Sequence, residues 1–127
     1  MVNKNVILNL LSFTGLTLFL LLAFGSSDGD SSNDDLNAIV NYAGGQFTIT
    51  NNDSFDWWDV KFELNDDYTL KVTSISAGGV YTVGSMQFTK KDGARFNPLS
   101  HKPLSFFIYA KTKTPGGKRA SYYGTWK

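Results

Sequence analysis

The pattern of apolar and polar positions divides the chain into three parts, and the first is an apolar run from Val6 to Phe24. The run holds no charged residue, and its length is close to the ~20 residues that span the hydrocarbon core of a bilayer. It predicts one N-terminal apolar helix within residues 1–25. The helix is either retained as a transmembrane anchor or removed as a signal peptide after the small-residue triplet Ala23-Phe24-Gly25.

The basic residues around this run predict its orientation. Lys4 precedes the run, and the first basic residue after it is Lys61. Because Lys and Arg near a membrane span mark its cytoplasmic side, the N-terminus is predicted to be cytoplasmic and the remaining chain extracytoplasmic. We therefore expect a single-pass protein of the cell membrane, or a secreted protein if cleavage occurs near Gly25.

The second part, residues 26–37, is small, polar and acidic, and it predicts a flexible linker. The third part, residues 38–127, alternates apolar and polar positions with the period of two that is typical of half-buried strands. The predicted strands cover residues 46–51, 58–64, 68–73, 80–89, 103–112 and 119–126, with a further strand within 36–42.

Turn residues separate these strands, as in Asn65-Asp66-Asp67, Gly78-Gly79 and Asp92-Gly93. No long helical period occurs in this part. The pattern predicts an all-β domain, an antiparallel β-sandwich of about six or seven strands of the immunoglobulin or fibronectin type. A small barrel is the alternative.

Composition argues against most enzyme classes. The chain has no Cys and one His, His101. This excludes a cysteine nucleophile and disfavours a zinc site, and no nucleotide-binding glycine motif is present. The sequence therefore predicts no enzyme and no cofactor. A small hydrolase that uses His101 is a minor hypothesis.

The best carboxylate cluster is Asp53, Asp56 and Asp59, which precedes or begins a predicted strand. Oxygen ligands in such a loop suit calcium, so these residues are a weak candidate for a metal site. The structural alternative, which we favour, is a turn stabilised by Asp side chains followed by one outward-facing Asp.

Charge is unevenly distributed although the formal net charge is only +1. Nearly all acidic residues lie between Asp28 and Asp67, and nearly all basic residues follow Tyr68. Either strands from the two halves pair, so that opposite charges face each other, or a basic surface meets an acidic partner or another copy. The candidate basic surface comprises Lys90, Lys91, Arg95, Lys118 and Arg119. The export signal argues against a nucleic acid partner.

Adjacent aromatic residues in the predicted strands should point to opposite faces. By register with Val60, Trp58 is predicted to face inward and Trp57 outward. By register with Ile108, Phe107 and Tyr109 are predicted to face outward. The candidate aromatic binding face comprises Trp57, Phe107, Tyr109, Tyr122, Tyr123 and Trp126.

Three segments carry a resemblance to a group of known proteins: Phe47 to Asn51, Trp58 to Asn65, and above all Phe88 to Pro98. In these segments the chain resembles small exported or membrane-anchored bacterial proteins of unknown function that have a fibronectin- or immunoglobulin-like sandwich. The resemblance covers roughly residues 46 to 110. It implies the fold and the compartment, and it brings no catalytic residues.

Together these features predict a non-catalytic bacterial module outside the cytoplasm that binds a protein partner or another copy of itself within an envelope assembly. The alternative is a carbohydrate-binding module in which exposed Trp and Tyr rings stack on sugars. The partner, the oligomeric state and the fate of the apolar run do not follow from the sequence.

Overall fold

The computed structural model describes residues 34–126. The predicted apolar helix, its retention or cleavage, and most of the predicted linker lie outside the described residues. Within residues 34–126 no helix is long and apolar enough to cross a membrane.

The described part of the chain forms two antiparallel sheets, which confirms the all-β prediction. In chain order the strands are β1 (Asp34–Asp35), β2 (Ala38–Ala43), β3 (Gln46–Asn51), β4 (Trp57–Leu64), β5 (Tyr68–Ile75), β6 (Val80–Gly84), β7 (Ser105–Thr112) and β8 (Arg119–Thr125). The smaller sheet has the order β2-β3-β6. The larger sheet has the order β8-β7-β4-β5, and the short β1 adds to its β8 edge in parallel.

The two ends of the larger sheet are distinguished by their residues. At one end Arg119 of β8 pairs with Lys111 of β7, and this end is called the Arg119 end. At the opposite end the turn Asn65-Asp66-Asp67 joins β4 to β5, and this end is called the Asn65 end. The strand β4 lies between β5 and β7, so residues distant in sequence become neighbours across it.

Left-handed backbone conformations shape two of the hairpin turns. Asn65 and Asp66 have φ values of 54° and 62°, which suits the tight hairpin that the sequence predicts there. Gly44 and Gly45, with φ values of 60° and 79°, form a two-residue turn between β2 and β3 that the sequence analysis did not identify. Glycine accepts these angles without steric cost.

The core lies between the inner faces of the two sheets and is rich in aromatic rings. Phe47 of the smaller sheet lies 5.1 Å from Phe106 of the larger sheet, between ring centroids. Phe88, which follows β6, lies 5.4 Å from Phe47 and 6.0 Å from Phe106. Tyr81 of β6 lies 5.9 Å from Phe62 of β4. Burial of these large apolar rings is the main favourable contribution to folding.

Three boundaries differ from the sequence predictions. The end of the predicted linker 26–37 is part of the folded sheet, because β1 pairs with β8 and Leu36 is only 5% exposed. The predicted strand 80–89 ends at Gly84, because a 3₁₀ turn follows at Ser85–Gln87. The predicted strand 103–112 begins at Ser105, and Leu104 before it is 52% exposed.

Asn51 joins the two sheets at the Arg119 end with a fully buried side chain. Its amide nitrogen donates hydrogen bonds to the carbonyl oxygens of Phe55, Ile75 and Ser76, at 3.0, 2.9 and 3.2 Å. Its side-chain oxygen accepts a hydrogen bond from the backbone N–H of Asp53 at 2.9 Å. One side chain thus connects the end of β3 with the loop before β4 and with the end of β5.

We predict that Asn51→Ala lowers the free energy of unfolding by about 2–4 kcal/mol, because four side-chain hydrogen bonds are lost and three carbonyl oxygens lose a partner. Chemical denaturation measures the change. The control is Asn52→Ala, which removes the same side chain from an exposed neighbouring position and should change stability by no more than about 0.5 kcal/mol. Equal effects of the two substitutions would contradict the role assigned to Asn51.

Candidate functional site

A β-bulge in β4 reverses the predicted directions of two tryptophans. Between Trp58 and Lys61 the register of β4 against β7 shifts by one residue, and Asp59 there has a φ of 48°. The extra residue lets both Trp57 and Val60 face inward. Trp57 is therefore fully buried rather than exposed, and Trp58 takes the outward position.

The carboxylates of the weak metal candidate serve separate structural roles. Asp53 accepts a hydrogen bond from the indole nitrogen of Trp57 at 2.9 Å. Asp56 accepts one from the backbone N–H of Ala77 at 2.9 Å, and Asp59 forms an ion pair with Lys111 at 3.6 Å. Among residues 34–126 no three His, Asp or Glu side chains are arranged to hold a metal ion. Each of these three carboxylates has a hydrogen-bond or ion-pair partner within the described part of the chain.

Asp53 has an altered acidity because of its surroundings. Burial raises the pKa of Asp53 above 3.8, and hydrogen bonds from Trp57 and from the backbone N–H of Asn37 lower it in part. In the folded protein this carboxyl therefore takes up a proton at a higher pH than in the unfolded chain. Its contribution to stability decreases as pH rises from about 3.8 through the raised pKa.

We predict that Asp53→Asn removes this decrease, because an amide keeps an oxygen acceptor for Trp57 and has no charge to desolvate. The free energy of unfolding of both chains is measured between acidic and neutral pH. As pH rises, the value for the variant minus the value for the natural chain should increase. The matched variant Asp53→Ala leaves the buried indole N–H without an acceptor and should cost about 1–3 kcal/mol at neutral pH. Equal stability of the Asn and Ala variants at neutral pH would contradict the assigned hydrogen bond.

The outer face of the larger sheet is the surface of that sheet turned away from the core. Strand pairing arranges it in three rows that run from β8 to β5. The row at the Arg119 end holds Arg119, Lys111, Trp58 and Ser74; the middle row holds Ser121, Tyr109, Lys61 and Lys71; the third row holds Tyr123, Phe107, Glu63 and Thr69. A shallow concavity on this face is lined by Asp59, Lys61, Lys71, Thr73, Tyr109 and Arg119.

Three of the predicted aromatic residues meet on this outer face. Phe107 and Tyr109 are nearly parallel, at an interplanar angle of 7° with ring centroids 5.3 Å apart. Tyr123 lies 4.4 Å from Phe107, and the Lys61 ammonium lies 5.4 Å from the Tyr109 ring. Tyr123 is 54% exposed and Tyr109 is 37% exposed. The predicted outward direction of Phe107 and Tyr109 is consistent with this arrangement.

The hydroxyl of Tyr109 is hydrogen bonded to another side chain of the same face. It donates a hydrogen bond to a carboxylate oxygen of Glu63 at 3.4 Å. Burial, the nearby charge of Glu63 and this hydrogen bond together raise the pKa of Tyr109. The phenol therefore stays protonated at neutral pH and remains a hydrogen-bond donor on the surface.

Two other predicted members of the aromatic face turn toward the core. Tyr122 is partly buried against the core, and this burial raises the pKa of Tyr122. Trp126 packs near Phe47 and Phe106, at centroid distances of 6.0 and 6.2 Å. Tyr122 pairs with the inward-facing Ile108, so the alternation of β8 sends Tyr123 outward and Tyr122 inward.

The predicted basic residues do not form one surface. Lys90, Lys91 and Arg95 belong to the segment after β6, which bridges to Thr69 near the Asn65 end. Lys118 and Arg119 lie at the Arg119 end. The outer face instead brings Arg119 together with Lys61, Lys71 and Lys111, which the sequence analysis did not select. Their alternation with inward-facing residues in β4, β5 and β7 indicates that they face outward, whereas their proximity depends on the strand order.

Opposite charges from the two halves of the chain meet at two places. Asp59 pairs with Lys111 as described, and Asp67 pairs with Lys90 at 3.9 Å. Both pairs are largely exposed to solvent and contribute little to stability. These contacts neutralise part of the charge asymmetry, and among residues 35–126 Lys61, Lys71 and Arg119 of the outer face have no ion-pair partner.

His101 lies in an exposed turn before β7. Its Nδ1 lies 2.8 Å from the Ser100 hydroxyl, and its ring lies 6.0 Å from the ring of Phe96. Within residues 34–126 no carboxylate is hydrogen bonded to or ion-paired with His101. The hydroxyl and the imidazole therefore stand beside each other without the acidic group that orients the base in a serine hydrolase.

Comparison of the sequence with protein-family models and with curated proteins, and of the fold with solved structures, finds no match. The outer face therefore has to be interpreted from its own geometry.

Proposed function

We propose that this chain is a non-catalytic binding or structural module outside the cytoplasm, which contacts another protein in an envelope assembly. The observation that carries the proposal is the outer face of the larger sheet, where Tyr109 and Tyr123 are exposed beside Lys61 and Phe107. Aromatic side chains such as Tyr and Phe are enriched at protein interfaces relative to the rest of the surface.

The proposed fold is an immunoglobulin- or fibronectin-like sandwich. Its support is the pair of antiparallel sheets, with four strands in one and three in the other, whose inner faces share one aromatic core. Such sandwiches commonly present a sheet face or an edge to a partner. The proposed kinship with small exported bacterial proteins rests on the sequence resemblance alone.

A protein partner fits the ring geometry better than a glycan does. A sugar that stacks on an aromatic ring needs an accessible ring face. Phe107 lies between Tyr109 and Tyr123, and Lys61 lies over Tyr109, so these ring faces already contact other side chains of the protein. Trp57 is buried and Trp126 packs on the core. Carbohydrate binding remains the second candidate because Tyr123 is 54% exposed.

Photo-crosslinking with the full chain in its membrane tests the protein-binding proposal. A photoreactive residue at Thr73, which lines the concavity of the outer face, should yield discrete protein adducts. The matched control is Thr82, an exposed threonine on the smaller sheet, which should yield none. Adducts from Thr73 should fall at least about tenfold on Tyr123→Ser, a loss of about 1.4 kcal/mol of binding.

Two results would contradict the proposed surface. One is adduct formation from Thr82 but not from Thr73. The other is a set of Thr73 adducts that Tyr123→Ser leaves unchanged although the variant folds normally. Adducts whose added mass is removed by glycosidase would favour the carbohydrate-binding candidate instead.

The proposed compartment has its own test. We predict that the full chain with a C-terminal tag is recovered from carbonate-washed membranes at its full-length mass, because the run from Val6 to Phe24 is long and uncharged enough to span a bilayer. A soluble form whose mass begins at Ser26 would show that the run is a cleaved signal peptide. A full-length soluble form in the cytoplasm would contradict both versions.

A further inference from the structure

We infer that the outer face binds the acidic segment, residues 26–33, of a second copy of this chain, so that copies join head to tail. The inference rests on the proposed function, since it names the partner of the same surface. The segment Ser26 to Asn33 contains Asp28 and Asp30 among serines, glycine and asparagine, and it has no basic residue.

The first support is the repulsion that the strand pairing builds into this face. Lys61 lies directly opposite Lys71, and Lys111 lies directly opposite Arg119. Like charges at directly opposed positions destabilise a sheet. Among residues 35–126 only Lys111 of these four has an ion-pair partner, Asp59 at 3.6 Å. An added carboxylate would relieve this repulsion at both pairs.

The spacing of the cations is the second support. The Lys61–Lys71 pair and the Lys111–Arg119 pair occupy neighbouring rows, two residues apart along β7. Two residues along a strand span about 7 Å. In an extended chain Asp28 and Asp30 point to the same side and are also about 7 Å apart. Across the sheet the two pairs lie on different strands, β4 and β5 for one and β7 and β8 for the other, and their nearest members are Lys61 and Lys111 on adjacent strands. An extended acidic segment that runs between β4 and β7 therefore places one carboxylate beside Lys61 and one beside Lys111.

The direction of β1 favours a second copy over the same copy. The strand β1 runs parallel to β8, with Asp34 opposite Ala120 and Asp35 opposite Ser121. The strand β1 therefore starts at the Arg119 end of the sheet and runs away from it. To reach Lys61 and Lys71 the same chain would have to reverse its direction, whereas a second copy is not constrained in this way.

Such a contact joins two different surfaces, one from each copy. A contact of this kind propagates into a ring or an open row of copies rather than closing into a symmetric dimer. Because the attraction is between partly exposed charges, it should weaken strongly with salt. The expected self-association is therefore dependent on both concentration and salt.

A complementation experiment with two charge variants of the full chain in detergent micelles tests the inference. The first variant is Lys61→Gln with Lys71→Gln, which lacks the receiving cations. The second is Asp28→Asn with Asp30→Asn, which lacks the donated carboxylates. The control is Lys91→Gln with Lys102→Gln, which removes the same charge from exposed lysines outside the outer face.

We expect the natural chain and the control to form multimers at low salt that dissociate in about 1 M salt, where the Debye length is about 3 Å. Each charge variant alone should associate at least about tenfold more weakly. An equimolar mixture should restore a one-to-one dimer, because the first variant still donates the acidic segment and the second still receives it. Sedimentation velocity measures the natural chain, the control, each charge variant and the mixture, in which one variant is labelled.

Several results would overturn the inference: a monomeric natural chain at low salt, full association of the Asp28→Asn with Asp30→Asn variant, or a mixture that stays monomeric. The last result would mean that the segment covers the face of its own copy. Repeating the Thr73 crosslinking in the Asp28→Asn with Asp30→Asn variant distinguishes a failure of this inference from a failure of the proposed function. Adducts that persist there would retain the proposed function while overturning this partner, and their absence from every chain would overturn both.

Discussion

The side chain of Asn51 is the constraint on which the arrangement of this domain depends. It is fully buried, and its amide satisfies three carbonyl oxygens that belong to the loop before β4 and to the end of β5. Its oxygen holds the backbone of Asp53, whose carboxylate in turn holds the indole of Trp57. Buried polar groups of this kind stabilise a structure only when every hydrogen bond is made, and here they fix where β4 begins.

The start of β4 determines which side chains reach the outer face. Trp57 is anchored in the core, and the bulge at Asp59 then restores the inward direction at Val60. From that point the strand presents Lys61 and Glu63 to the neighbours on β5 and β7. The surface that the proposals concern is thus set by a buried network at one end of the domain.

The sequence predicts much of this fold and less of the surface. The period of two in β7 predicts the outward direction of Tyr109, which is 37% exposed, because this strand has no irregularity. The same reasoning fails at Trp57, since one extra residue in β4 reverses the inward or outward direction of the side chains that precede it in the strand. The cation cluster was not predicted because Lys61, Lys71 and Arg119 meet only through the strand order, which alternation does not determine.

The two-residue strand β1 has a mechanical consequence. A pull on the chain from its N-terminal side reaches the domain first at β1, whose pairing with β8 spans only Asp34 and Asp35. Behind this pairing the backbone N–H of Leu36 donates a hydrogen bond to Ser121 at 2.8 Å, and the Leu36 side chain is inserted in the core. Tension from the N-terminal side would therefore detach β1 before it loads the aromatic core, so that the pairing of β1 is lost first and the other strands of the larger sheet stay paired.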